Sequence, residues 1–439
     1  MVHWSCPRVH VTLTILPGVS ARGVPAGSRD RAVTVGLVVV CQVAHFLPIA
    51  AIPLLLPAIR ADLGISFAEA GMLSAAGTAS YALGQIPAGY LADRFGPRRL
   101  FFIGLLAWSL LSLSFGLIHA FWLALANQFV AGAFRALLFA PGLALLASWF
   151  PPQRRATAMS LFLLGSAGGS ILLALAGPAL AQLHGWRATF VGFAAVGIGV
   201  ALAYGALARE RPLARDRQPV ALPDLLRLAR FPILWVCGAL QFVRFAAASG
   251  FTFWLPSFLV ADRGFSLTAA GAVMALSAAL SAPSNMLGAY VSDRLRNPPR
   301  VIASALAILA AAAALLPAFE STAALLLTIA VYSIFQGFYF GPLFQVPVEV
   351  LGTRIAGSTI GFGNLFANIG GFCCVYALGL ARDQAGSFAA GFAGISAACV
   401  AGVALAALLA RMRARALAAT PDRRRIAALV RAFPDPHSA

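Results

Sequence analysis

The run ILWVCGALQFVRFAAASGFTFWLPSFLV, residues 233–260, is long enough to cross a bilayer as a helix, which takes about 20 apolar residues, yet it holds Gln241 and Arg244 well inside its ends. An arginine at the centre of a membrane helix costs about 2.5–3.5 kcal/mol on insertion scales, so such residues face a bundle interior or water and mark substrate paths. Arg244 therefore calls for an anion, with a structural bond to backbone carbonyls or a Gln side chain as the competing reading.

The pattern is not unique in the chain. Gln42, His45 and Phe46, in an earlier apolar run, repeat the order of Gln241, Arg244 and Phe245 at a distance of about 200 residues, as an internal duplication would. Asp62-Leu63-Gly64-Ile65-Ser66 returns as Asp262-Arg263-Gly264-Phe265-Ser266, Tyr90, Asp93 and Arg94 as Tyr290, Asp293 and Arg294, and Phe139-Ala140-Pro141 as Phe340-Gly341-Pro342. Twelve runs of membrane-spanning length are found: 33–57, 68–90, 100–118, 121–149, 156–183, 190–208, 233–260, 268–291, 301–319, 322–350, 355–380 and 388–410. None shows the apolar/polar alternation of a transmembrane strand. The expected fold is an all-α membrane protein of twelve transmembrane helices in two six-helix pseudo-repeats. A cytoplasmic tail (1–32), a first half (33–208), a central loop (209–232), a second half (233–410) and a basic tail (411–439) complete the plan.

With 60% hydrophobic and only 10% charged residues, the chain lies outside the soluble range, where roughly a quarter of residues are charged. Its net charge of +18 is carried by arginine, with no lysine, and its placement sets orientation rather than affinity for nucleic acid. If both termini are cytoplasmic, as in a bacterial inner membrane, the inner segments hold most arginines and the outer loops keep Arg60, Arg187, Arg263 and Arg382. Only Arg135 and Arg244 are then left within the membrane. The cysteines lack CxxC spacing and read as small hydrophobes rather than bridges or metal ligands. The apolar patch at 11–16 is too short to span. No HExxH or GxSxG is found, which argues against an enzyme, and no metal or cofactor is expected.

Between the second and third runs lies Gly89-Tyr90-Leu91-Ala92-Asp93-Arg94-Phe95-Gly96-Pro97-Arg98-Arg99-Leu100. Asp93 falls at a helix C-terminus, where the macrodipole repels a carboxylate unless arginines or another helix's N-terminus offset it. Such a contact breaks when helices slide, so Gly89, Asp93, Arg94, Gly96 and Arg98 form a candidate conformational latch. This stretch resembles the loop 2–3 signature of the major facilitator superfamily, and the likeness extends over all twelve runs but not the tails. The copy at Tyr290–Leu295 is degenerate. In the fourth run Gln128 stands where the superfamily often has an arginine, with Arg135 about two turns further on. Gly177-Pro178 in the fifth run resembles the antiporter-associated motif but lacks its following glycine, and the small residues there are read as close-packing positions. Gly185-Trp186-Arg187, Trp254-Leu255-Pro256 and Asn364, Asn368 and Gly370-Gly371-Phe372 resemble the superfamily's organic-anion branches.

The resemblance implies that spans one, four, seven and ten line a central cavity, with His45, Arg135 and Arg244 facing one another across the repeat interface. It adds Gln42, Gln241, Gln336, Tyr339 and Asn364 as candidate substrate contacts. Two guanidinium groups with no acid at their depth favour a negative ligand, which each can grip by paired hydrogen bonds. His45 reads either as a packed neutral imidazole or as a proton carrier. Tyr81 and Gln85 share a helix face, and like Ser281, Asn285 and Asn368 they read as packing contacts or cavity lining. The implied function is proton-coupled secondary transport of a small anion, an organic carboxylate, by a monomer. Anion exchange, drug efflux and a non-transporting membrane sensor are the alternatives.

Overall fold

The computed structural model describes residues 28–150, 155–210, 230–351 and 356–418. The 11–16 patch, the possible surface helix at 223–227, the Arg423-Arg424-Arg425 cluster and the side chain of Asp93 lie outside the described residues. In chain order the helices are Ser28–Leu63, Phe67–Phe95, Pro97–Leu117, Phe121–Ser148, Arg155–Leu207, Pro232–Ala261, Leu267–Leu295, Pro298–Leu315, Thr322–Phe338, Phe340–Leu351, Ala356–Ala385 and Ala389–Leu417. Ten segments are long and apolar enough to cross a membrane among the described residues. One of these, Arg155–Leu207, bends at Gly185 (φ 80°, ψ 161°), a conformation open essentially to glycine alone, and supplies spans five and six. With Phe67–Phe95 as span two, the described residues make the twelve crossings expected from the apolar runs.

Helix bounds exceed the apolar runs at most ends, as in Ser28–Leu63 for 33–57 and Leu267–Leu295 for 268–291. Hydropathy marks the hydrocarbon core of about 30 Å, whereas helices continue through the headgroup layers. Span ten departs more sharply: it breaks at Tyr339 into Thr322–Phe338 and Phe340–Leu351.

The duplication read from side chains is repeated in the backbone. Positive φ values occur in matching pairs: Gly64 (64°) and Gly264 (67°), Gly96 (86°) and Arg296 (50°), Gly185 (80°) and Gly386 (70°). Ser66 caps span two as half of a complete capping box with Glu69, and Ser266 caps span eight through the Ala269 N–H. Within each half, span one packs on five, two on four, seven on eleven and nine on twelve. In a bilayer this association runs on close backbone approach rather than on the hydrophobic effect. Gly165 and Gly169 illustrate it: a Cβ on either would lie 2.8 or 2.6 Å from the carbonyl oxygens of Val39 and Val43 in span one.

The halves meet along span two against eleven and span five against eight, partners related by the repeat. On the face opposite the termini they are tied together. Asp383, at the end of span eleven, accepts hydrogen bonds from the backbone N–H groups of Phe67 (3.0 Å) and Ala68 (2.7 Å) at the start of span two. Gln182 donates to Thr268 across the other seam, and the Phe67 ring is covered by the guanidinium groups of Arg60 and Arg382. On the terminus-bearing face the described residues make polar contacts within each half. Arg98 donates to the Gly205 carbonyl, Tyr204 donates to the Arg98 carbonyl, and Glu349 pairs with Arg413. Among the described residues the halves are thus tied to one another by side-chain hydrogen bonds on the face opposite the termini.

Candidate functional site

Between the halves lies a cavity in two lobes of about 350 and 280 Å³. Spans one, two, three, four, seven and eleven line the larger lobe, and one, five, seven, eight and ten the smaller. Both lobes include Pro53 and Thr252, which occupy equivalent places in the two repeats. They are therefore pseudo-symmetric copies of one another. No Asp or Glu lines either lobe among the described residues.

Arg135 is the charged residue of the larger lobe. Its guanidinium lies between two aromatic rings, 5.4 Å from the centroid of Tyr81 and 5.4 Å from that of Trp108. Its Nε is buried and has no hydrogen-bond partner. Two ring faces supply about 0.5–2 kcal/mol each to a cation but offer no hydrogen-bond acceptor, so the buried Nε stays unsatisfied. The site therefore favours an anion in front of Arg135. Hydroxyls and amides surround that position, among them Ser74, Thr78, Gln128, Ser249, Thr252 and Asn368.

The expected meeting of His45, Arg135 and Arg244 across the interface is not what the structure shows. His45 sits on the same side as Arg135, behind Trp108, whose ring lies 5.8 Å from the imidazole and whose indole N–H donates to the His45 carbonyl. Both imidazole nitrogens are buried and without a partner. Arg244 stands apart in the second half, its Nε bonded to Gln241 Oε1 at 2.7 Å and its guanidinium 4.9 Å from the Phe340 ring. Phe245, Ala248, Ser249 and Thr252 form the lining stripe of span seven, and Arg244, four residues before Ala248 and about 40° from it, turns its side chain to Gln241 and the Phe340 ring instead. The Gln-bound reading of Arg244 describes this conformation.

Of the other expected contacts, Gln336 lines the smaller lobe at the place that Arg135 holds in the larger. Gln42 donates to Ser166 between spans one and five, and the Tyr339 hydroxyl is buried without a partner. Neither they nor Gln241 and Asn364 belong to the cavity wall. Asn368 does, as do Tyr81 and Ser281. Trp108 carried no sequence signal beyond a tryptophan in an apolar run. In the latch stretch, Gly96 ends span two and opens span three, with Arg98 tied to span six as above, and a Cβ on Gly89 would meet nothing within 4 Å. Beside Gly96, burial pushes the Glu210 carboxyl up from its usual range, while Arg98 and Arg99 pull it down. Arg94 is exposed, its guanidinium 5.5 Å from the Phe95 ring.

Several known proteins resemble this chain in sequence or in fold. A "Probable nitrate/nitrite transporter" of Mycobacterium tuberculosis is 31% identical over 337 residues, covering 73% of this chain and 82% of its own. A "Hexuronate transporter" of Bacillus subtilis is 24% identical over 388 residues, covering 83% of this chain and 91% of its own. Among solved structures, a bacterial homolog to the human lysosomal transporter Spinster superposes with a TM-score of 0.72 at 20% identity, over 89% of this chain and 97% of that one. With twelve crossings in two pseudo-repeats around a central cavity, and with residues 38–373 matching the Major Facilitator Superfamily model, this chain belongs to that superfamily.

Proposed function

We propose that this protein is a secondary transporter of a small organic carboxylate in a bacterial inner membrane, working by alternating access. The observation that carries the reading is Arg135, a ring-clamped guanidinium on the wall of the central cavity with no acid beside it. Thr78, Gln128 and Asn368 already direct a donor into the protein, and the acceptor oxygens they keep favour a hydroxylated acid, which brings O–H donors, over a bare oxyanion. The names of relatives support anion transport, nitrate or nitrite in one and hexuronate in another. With the termini cytoplasmic, as the arginine distribution favours, the tied face is the outer one.

Uptake into proteoliposomes across a panel of anions, with Arg135→Ala and Arg135→Lys beside wild type, tests this. Arg135→Ala is expected to lower uptake at least tenfold, with Lys restoring part because it keeps the charge without the planar fork. Normal uptake by Arg135→Ala ends the reading. Nitrate as the best substrate would favour the second reading, an inorganic-anion carrier, for which the 31% identical relative speaks. Proton coupling is assigned to His45, whose two ring nitrogens lie buried without a partner behind Trp108 and beside Arg135. A pH gradient is expected to drive uptake in wild type and not in His45→Ala. Gradient-driven uptake that survives His45→Ala places coupling elsewhere.

A further inference from the structure

We propose that the lobe around Gln336 is a second subsite, one that takes the neutral, hydroxyl-bearing end of the cargo, so that the transported species carries its charge at one end only. The proposal rests on the anion reading of Arg135 and adds to it a rule for the rest of the molecule. The two lobes are repeat copies that join at Pro53 and Thr252, and the residue at the charged position differs: Arg135 in one, Gln336 in the other. The scaffold is matched and the charge is not.

Hydrogen bonding in the smaller lobe fixes what it can accept. The single hydroxyl proton of Ser281 is directed at backbone carbonyls, Ser277 O at 2.8 Å or Ser333 O at 2.9 Å. Its oxygen is therefore left to receive, and the Gln336 amide N–H donates to it at 2.8 Å. That orientation leaves Gln336 Oε1 buried with no donor facing it. A lone buried acceptor favours an O–H or N–H group and opposes a carboxylate, which brings only further acceptors. Ser277, itself buried, already shares its hydroxyl with Ser333, and no Arg or His lines this lobe among the described residues. A second carboxylate placed here would be an unpaired charge out of water, the costliest outcome.

Binding to the purified full chain separates the possibilities, with four probes: propionate, gluconate, glucarate and nitrate. Gluconate, one carboxylate with a polyhydroxyl tail, is expected to bind wild type about tenfold or more tighter than either propionate, which has no tail, or glucarate, which is charged at both ends. In Gln336→Leu the gluconate-to-propionate ratio should fall toward one. Gln336→Arg should reverse the preference, so that glucarate binds tighter than gluconate, a gain that a misfolded variant cannot produce. Equal affinity of wild type for gluconate and glucarate, or a ratio unmoved by Gln336→Leu, overturns the proposal. Nitrate or propionate binding as tightly as gluconate, with Arg135→Ala abolishing it, overturns the subsite while leaving the anion reading intact. Failure of every probe removes both.

Discussion

Replacing Asp383 with Asn is expected to release the tied face. The carboxylate lies at the N-terminus of span two and takes two backbone N–H groups, Phe67 at 3.0 Å and Ala68 at 2.7 Å. A hydrogen bond to a charged group contributes about 1.5–3 kcal/mol, and a negative charge at a helix N-terminus about 0.3–1 kcal/mol more, both reduced by exposure. Asparagine keeps one acceptor and loses the charge. It also takes from Arg60 its nearby anion, while Arg382 keeps its pair with Asp262. A net loss of about 1–2 kcal/mol is reasonable, and that is a factor of about 5–30 in the balance between tied and open forms. Spin labels on His119→Cys and Glu320→Cys, exposed residues of the two halves on that face, report the separation directly. In a background with the native cysteines replaced, Asp383→Asn should add a longer-distance population or enlarge an existing one by about fivefold or more. If the distribution stays put in a folded variant, the tie lies in helix packing, where the Gly379 backbone touches the Phe67 carbonyl, and not in the carboxylate.

Gly288→Ala should be among the most damaging single changes, because a Cβ there would overlap the Phe338 carbonyl and backbone cannot yield as a side chain does. About 3 kcal/mol or more is expected, read as lost thermal stability in detergent, against Gly199→Ala, where a Cβ meets nothing within 4 Å and stability should hold. Arg187→Ala removes both the bond to the Ile118 carbonyl at 2.6 Å and the pair with Asp62, and should cost about 1–3 kcal/mol in unfolding experiments. Arg263→Ala should match it, since Arg263 closes span nine in the same way through the Leu316 and Pro317 carbonyls. Glu349→Gln is expected to change stability by about 0–1 kcal/mol and uptake not at all, because its partner Arg413 is a partly exposed surface cation and neither residue lines the cavity.

The scaffold was legible because bilayer thickness imposes helix length and because duplication wrote the same residues twice. Arg135 was legible for a related reason: a charge inside an apolar run has few physical excuses. What an intramembrane charge does not reveal is which interior surface it meets. Phe245 lines the cavity, whereas Arg244, its neighbour in the chain, is buried against the Phe340 ring of span ten. Trp108 was hidden differently. In a soluble protein, polar and apolar faces would have shown which side of span three points inward, but in hydrocarbon both sides are apolar and the periodic signal vanishes.

Span ten shows how the two copies part company. Pro141 and Pro342 are matched by the repeat, and each lacks the N–H that would bond the carbonyl four residues earlier. Span four nevertheless runs unbroken through Pro141, whereas span ten interrupts at Tyr339. The second copy carries Gly337 and Gly341 around its proline where the first has Ala136 and Ala140, and each glycine weakens a helix by about 1 kcal/mol relative to alanine. The carbonyl freed by Pro342 is that of Phe338, and the Gly288 backbone packs directly against it, so the break is seated rather than frayed. Phe340, the first residue beyond it, is the ring that covers Arg244. The same contrast holds at His45 and Arg244, and at Arg135 and Gln336. A repeat is recognised by what its copies share, while a site with one charged end must be built from what they do not, so comparing the halves of one chain yields its frame and stops short of its cargo.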